Sequence, residues 1–168
     1  MNPADELVVL VNERNEVIGQ TTRRRMRAER LLHRSTYILV FNSAGQLYVQ
    51  KRTMTKDIYP GYWDPATGGV VAAGESYEQG AERELAEEMG IRGIPLQMHF
   101  DFFYEDERSQ VWGRVFSCQW DGPVTPQPEE VEYVELMTPD EIRTRSATEP
   151  FTPDGLLVVD RCTSITNP

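Results

Sequence analysis

A mixed β-sheet flanked by helices, α/β in the broad sense and α+β in detail, is the fold this sequence predicts, and three observations carry that expectation. Runs rich in β-branched and aromatic residues interleave with helical patterns, yet without a steady strand-helix-strand rhythm. One central helical stretch has both a start and a stop signal. Finally, 168 residues at 39% hydrophobic and 26% charged suffice for one core that buries roughly two thirds of the unfolded chain's surface, so residues 1–168 are read as a single domain.

The elements follow in order. "ELVVLVN" and "EVIGQ" read as strands around a turn at Asn12 to Asn15, and "RRRMRAERL" reads as a short helix. "TYILVFNSAGQLYVQKR" has the pattern of a hairpin turning at Asn42-Ser43-Ala44-Gly45. "TMTKDIYPGYWDPATGG" is a loop punctuated by Pro60-Gly61 and Pro65. A helix follows, with Ser76 as N-cap, Gln79 completing a capping box, and Gly90 as the stop. "IPLQMHFDFFYED", "VWGRVFSCQW" and "VEYVELM" read as strands, and helices start at Thr138 and Thr152, each with Pro in its first turn.

Composition excludes several classes. A net charge of -10 argues against binding a phosphodiester backbone, so no nucleic-acid partner is expected. Residues 1–60 nevertheless hold 10 Lys+Arg against 6 Asp+Glu, largely in "RRRMRAERLLHR" and "QKRTMTK". No apolar run approaches the ~18 residues of a membrane span, and the start lacks a basic n-region and an apolar h-region, so the chain is read as cytoplasmic without a membrane partner. Cys118 and Cys162 have neither CxxC spacing nor nearby His, and are read as buried thiols.

Six glutamates fall between positions 75 and 88. On a helix Glu84, Glu87 and Glu88 stand at i, i+3 and i+4, which places three carboxylates on one face within about 6 Å. Such neighbours repel unless a cation neutralises them, and oxygen donors select Mg²⁺, or Mn²⁺ in its place. Ala81, Leu85 and Met89 at i, i+4 and i+8 would face the core, which turns the acidic face outward. A solvated acidic helix, with Arg83 paired to Glu87, is the alternative on this spacing alone.

The framing decides between them. Gly69, Glu75, Arg83-Glu84, Leu85, Glu87-Glu88 and Gly90-Ile91 fit G-x5-E-x7-R-E-U-x-E-E-x-G-U, with U apolar. This resembles the Nudix box in full. The resemblance implies a mixed sheet between helices with a loop-helix-loop box, and metal-dependent hydrolysis of a phosphoanhydride bond in nucleoside di- or triphosphates or other nucleoside diphosphate derivatives. It implies that Glu84, Glu87 and Glu88 bind the metal, that the Gly69 carbonyl adds a ligand, and that Arg83, Glu75 and Gly90 brace the box. Glu84 and Glu88, supported by Arg83, are then the catalytic candidates. The general base is Glu84 or a downstream glutamate, of which Glu129, Glu130 and Glu132 are best placed. A silent nucleotide-sensing module and a hydrolase of a non-nucleotide diphosphate remain the alternatives.

A narrower likeness joins residues 31–91 to the Nudix branch that includes isopentenyl-diphosphate isomerase. The catalytic Cys of that enzyme is replaced by Gly68 and a neighbouring His by Val70. His33 matches one metal-site His, while the partner expected near Met26 is missing. Isomerisation has no proton-transfer groups here, and His33 is read as a strand-edge residue with a local hydrogen bond. Substrate phosphates would suit Lys51 and Arg52 first, then Arg25 or Arg27. Tyr62, Trp63, Phe102, Phe103 and Trp112 are read as core aromatics that can alternatively stack a base. Monomer and homodimer are both compatible with the sequence.

Overall fold

A computed structural model describes residues 2–166, with side chains through residue 163. The elements are β1 (Leu7–Val11), β2 (Val17–Thr22), α1 (Arg23–Ala28), β3 (Leu32–Phe41), β4 (Leu47–Arg52), β5 (Trp63–Asp64), α2 (Tyr77–Met89), β6 (Gln97–Glu105), β7 (Gln110–Gln119), β8 (Val131–Met137), α3 (Pro139–Arg145) and α4 (Pro153–Thr166). A single 3-10 turn, Pro3–Asp5, precedes them.

The eight strands form one mixed sheet centred on β3. β3 runs parallel to β7 from Leu32 beside Gln110 to Phe41 beside Gln119, and β6 lies antiparallel outside β7. β1 and β2 extend the other end, while β4 pairs antiparallel with β8 and β5.

The expected hairpin forms its turn but not its ladder. Asn42 N donates to the Gln46 carbonyl at 2.9 Å, and Gly45 takes the left-handed conformation at φ 80°. Beyond that turn β3 and β4 meet at one register pair, Phe41 and Leu47. The reason lies in the edges of β3: β7 takes one along its whole length, and residues 67–71 take the other. Ile38 N donates to the Thr67 carbonyl at 2.7 Å, and Thr36 N to the Gly69 carbonyl at 2.9 Å. β4 therefore finds its partners elsewhere, and the segment before α2 is fastened to the middle of the sheet.

Alternation along β3 builds two cores. Ile38 and Val40 face α2, where they pack with Ala81, Leu85 and Met89, all at most 2% exposed. Tyr37 and Leu39 face the other way, toward Ile142 of α3 and Val158 and Val159 of α4. The sheet thus lies between helices, as the sequence predicts. Burial of each Leu or Val in these layers contributes roughly 1.5–3 kcal/mol. Cys118 and Cys162 are both free and buried.

Candidate metal and active site

The site begins with how α2 is started and stopped. Ser76 Oγ accepts from Gln79 N at 3.1 Å, and the Gln79 side chain accepts from Ser76 N at 2.9 Å. Gly90 ends the helix at φ 70°, its N–H donating to the Ala86 carbonyl at 3.0 Å. The register of the three glutamates is held from both ends.

Arg83 fixes the loop that precedes the helix. Its Nε and Nη2 donate to the two carboxylate oxygens of Glu75 at 2.6 and 3.0 Å, a bidentate pair. Glu75 also accepts from Ala72 N at 3.0 Å. The Glu75 hydrogen bonds, ahead of the opposing effect of burial, hold the Arg83 guanidinium firmly in its charged form. Its Nη1 donates to Glu84 at 3.0 Å and to Glu87 at 3.2 Å.

Gly68 and Gly69 then pass under the acidic row. Gly68 sits at φ 145°, and a Cβ there would run into the Thr36 carbonyl. A Cβ on Gly69 would stand 2.8 Å from Glu84 Oε1, so glycine is what lets that carboxylate approach the backbone. The Gly69 carbonyl accepts from Thr36 N at 2.9 Å and from Thr36 Oγ1 at 3.4 Å, so a further partner would have to displace the longer of the two bonds.

The acidic face is not turned outward, contrary to the sequence reading. Glu88 is 6% exposed, and its Oε2 accepts from Gly68 N and from Gln50 Nε2, both at 3.3 Å. The Glu84 side chain is 13% exposed, and only Glu87, at 49%, is open to solvent. The 84/88 row faces the junction of α2, β4 and the glycine loop, so that both sides of the helix are covered. Burial, followed by the charge of Glu84, pushes the Glu88 carboxyl up to about 8. Burial raises Glu84 as well, against the pull of Arg83.

Two neighbouring buried carboxylates, oxygen donors only, fit a hard divalent cation. Glu84 and Glu88 are the residues that would hold it. Among the described residues no three His, Cys, Asp or Glu side chains are gathered closely enough to form a metal cage by themselves, because Glu87 is turned to Arg83.

A second positive charge beside this row, after Arg83, is one the sequence reading did not single out. Lys56 pairs with Glu130 and lies close enough to Glu84 and Glu88 to pull both their carboxyls downward. Next to it, Asp57 Oδ2 accepts from Arg23 Nε at 3.1 Å and Arg27 Nε at 3.0 Å, which pins the loop to α1. Arg25 faces away and pairs with Glu29 at the surface. Lys56 ends the basic stretch "QKRTMTK", but a lysine in a loop carries no spacing signal that would set it apart from Lys51 and Arg52.

The other predicted residues are placed as follows. Lys51 is the neighbour of Gln50 on β4, and its ammonium lies 5.0 Å from the centre of the Trp63 ring, in the layer of α3 and α4. Arg52 donates to the Ile58 and Tyr59 carbonyls at 2.8 and 3.2 Å and to Asp64 at 3.3 Å, so it braces the loop of residues 53–62. Glu130 reaches the site through Lys56, whereas Glu129 and Glu132 are exposed. Trp63 and Phe102 are buried, and Phe103 is partly exposed against the edge of Trp112. His33 is not at a strand edge: it lies inside the sheet, paired with Leu10 on one side and Val111 on the other. Its Nδ1 does make the local bond, to the Leu31 carbonyl at 2.9 Å, and burial, then Arg27, lower its pKa to about 4.

Comparison with known proteins gives the family. The NUDIX domain family model matches residues 31–155. An uncharacterised Nudix hydrolase of Yersinia pestis is 48% identical over 157 residues, covering 92% of this chain and 85% of its own. Escherichia coli YfcD, also an uncharacterised Nudix hydrolase, is 48% identical over 151 residues, covering 90% of this chain and 83% of its own. The crystal structure of DR0079 from Deinococcus radiodurans superposes with a TM-score of 0.81 at 30% identity, over 94% of this chain and 99% of that one. The chain belongs to the Nudix hydrolase family, whose members act in general on pyrophosphate-type bonds.

Proposed function

We propose that the chain is a Mg²⁺-dependent pyrophosphohydrolase that cuts a phosphoanhydride bond in nucleoside di- or triphosphates or other nucleoside diphosphate derivatives. Mn²⁺ would substitute. The observation that carries this reading is the buried pair Glu84 and Glu88, set against a glycine loop whose backbone they touch. A structural acidic helix would leave such carboxylates in water or pair each with a base. Here Arg83 is shared among Glu75, Glu84 and Glu87, and Glu88 has only neutral donors.

In this reading Glu84 and Glu88 bind the cation, with Glu87 and the Gly69 carbonyl completing the set. A bound ion would supply charge neutralisation and Lewis-acid activation there. Glu84 would take the proton of the attacking water, and Arg83 positions Glu84 while keeping Glu75 and the loop in register. Lys56, rather than Lys51, is the lysine that meets the substrate's phosphate oxygens, exchanging its bond to Glu130 for one to phosphate. That exchange frees Glu130 as the second candidate base. Arg52 acts by holding the loop that carries Lys56. Gly68 and Val70 stand where the isomerase-like branch has its reactive groups, and Gly68 has no room for a side chain, so carbon-centred isomerisation is not part of the proposal.

The test is a panel of nucleotides and other diphosphates with Mg²⁺, with phosphate and pyrophosphate release measured. Turnover of nucleoside diphosphate compounds that stops with EDTA is the expected result. Binding without release would point to a sensor, and release from non-nucleotide diphosphates alone would move the substrate class.

A further inference from the structure

A second polar niche lies on the opposite side of β3 from the glutamates. A small cavity of about 40 Å³ opens beneath residues 58–59, and its wall includes Arg27, His33, Ser35, Tyr37, Tyr59 and Asp154. Arg27 Nε is bound to Asp57, but its Nη1 is buried and has no hydrogen-bond partner. A buried donor left in that state costs about 1–3 kcal/mol, so the group has an acceptor to gain. His33 donates from Nδ1 to the Leu31 carbonyl, which leaves Nε2 as an acceptor in the same wall.

The charges of the wall narrow the ligand. Asp154 accepts from Tyr37 at 2.8 Å, and Asp106 accepts from Tyr59, from Tyr104 at 3.2 Å and from the N–H groups of Arg108 and Ser109. An anion would meet these two carboxyl groups, and a cation would meet Arg27. An apolar group would leave Nη1 unpaired. A hydroxyl accepts and donates at once, and a polar niche of this size admits a small group of that kind.

The chain itself links this niche to the glutamate row. Arg27, in the cavity wall, donates to Asp57 at 3.0 Å, and Asp57 is the chain neighbour of Lys56, whose charge acts on Glu84 and Glu88. Ile58, two residues on from Lys56, is itself cavity wall, and two residues span at most about 7 Å of chain.

We propose that the cavity receives a sugar hydroxyl of the substrate, accepting from Arg27 Nη1 and donating to His33 Nε2. The hydrolysed class is then a nucleoside diphosphate compound whose ribose, or second sugar, enters beneath residues 58–59. This inference rests on the hydrolase reading for its substrate, but it is tested by affinity, which does not need turnover.

Calorimetry on the full chain with Ca²⁺ would compare three compounds: ADP-ribose, ADP methyl ester without the second sugar, and the 2′,3′-dideoxy form of that ester. One of the two removals should weaken binding at least about tenfold, and which one identifies the sugar. Arg27→Met should abolish that step, so that the compounds with and without the hydroxyl bind alike. Ser35→Val, which fills the niche without touching the α1 ion pairs, should do the same and guards against a folding defect in the first variant. Equal affinity for all three compounds, no binding of any, or a step that survives in both variants overturns the inference. Intact steps in a protein that hydrolyses nothing would overturn the hydrolase reading alone.

Discussion

Two clusters of charge meet at the loop of residues 53–62, and they are built on opposite plans. In the box, Glu75, Glu84 and Glu87 share one arginine, Arg83, and Glu88 has none. Across the loop, Arg23 and Arg27 share Asp57, Arg52 meets Asp64, and Lys56 meets Glu130, so that cluster is close to neutral by itself. The contrast shows where charge is missing. The box is short of positive charge, which suits the cation proposed for it, whereas the α1 cluster is nearly balanced and holds its loop in place. Lys56 bridges the two, bound to one side and felt by the other.

The strongest way to break this contrast is Glu84→Gln. The substitution keeps shape and removes both a cation ligand and the base, so turnover should fall by about 10² to 10⁴ with Mg²⁺ saturating. Hydrolysis near the wild-type rate would move the base to Glu130 and leave Glu84 a structural part. Lys56→Met comes next. It should raise KM for a nucleoside diphosphate compound about tenfold, with less effect on kcat, and steady-state kinetics would separate the two. A change confined to kcat would place Lys56 in the chemistry and not in phosphate binding.

How much of this was legible in the sequence follows from how local each feature is. The box was readable because i, i+3, i+4 spacing, the Ser76 and Gln79 capping pair and the stop at Gly90 are all decided within a few turns of one helix. The same pattern assigned Ala81, Leu85 and Met89 to the core correctly. It could not show that the acidic side would also be covered, because Gln50 and Gly68, which cover Glu88, come from a distant strand and loop. The hairpin misled for a related reason. Its turn is local, but the edges of β3 belong to β7 and to residues 67–71, and no window of sequence contains those pairings. Lys51 was legible as a strand residue leading to the loop, but the side to which period-two alternation sends it, over Trp63, depends on a partner strand and a ring distant in sequence.

The two clusters also predict opposite responses to pH. Glu88 has its carboxyl raised from 4.5 to about 8 in the fold. Between those values the folded state keeps a proton that the unfolded chain has released, so stability falls as pH rises through the window, and levels off above about pH 8. The slope from one group is at most about 1.4 kcal/mol per pH unit, and the partner carboxyl of Glu84 makes the true slope a property of the pair. Thermal melts in EDTA should therefore fall between pH 5 and pH 8. Mg²⁺ should raise the melting temperature more at pH 8 than at pH 5, and Glu88→Gln should flatten the EDTA curve. A Mg²⁺ effect of equal size at both pH values would sever the link between the buried pair and the cation.

Asp57 gives the smallest effect and the reverse sign. Burial raises its carboxyl, but Arg27 and Arg23 outweigh that and hold it well below the ordinary carboxylate range. A carboxyl lowered in the fold contributes stability that is fully present above its unfolded value of about 3.8 and is lost as pH falls below it. The side chain is 36% exposed, so solvent screening limits the contribution, and Asp57→Asn should cost only about 1 kcal/mol in urea unfolding at pH 7. The difference between wild type and variant should shrink as the same measurement is carried from pH 5 to pH 3. If it stayed constant over that range, the arginines would be held by packing and not by the Asp57 charge, and the neutral half of the comparison would have to be redrawn around Arg27 and its unpaired Nη1.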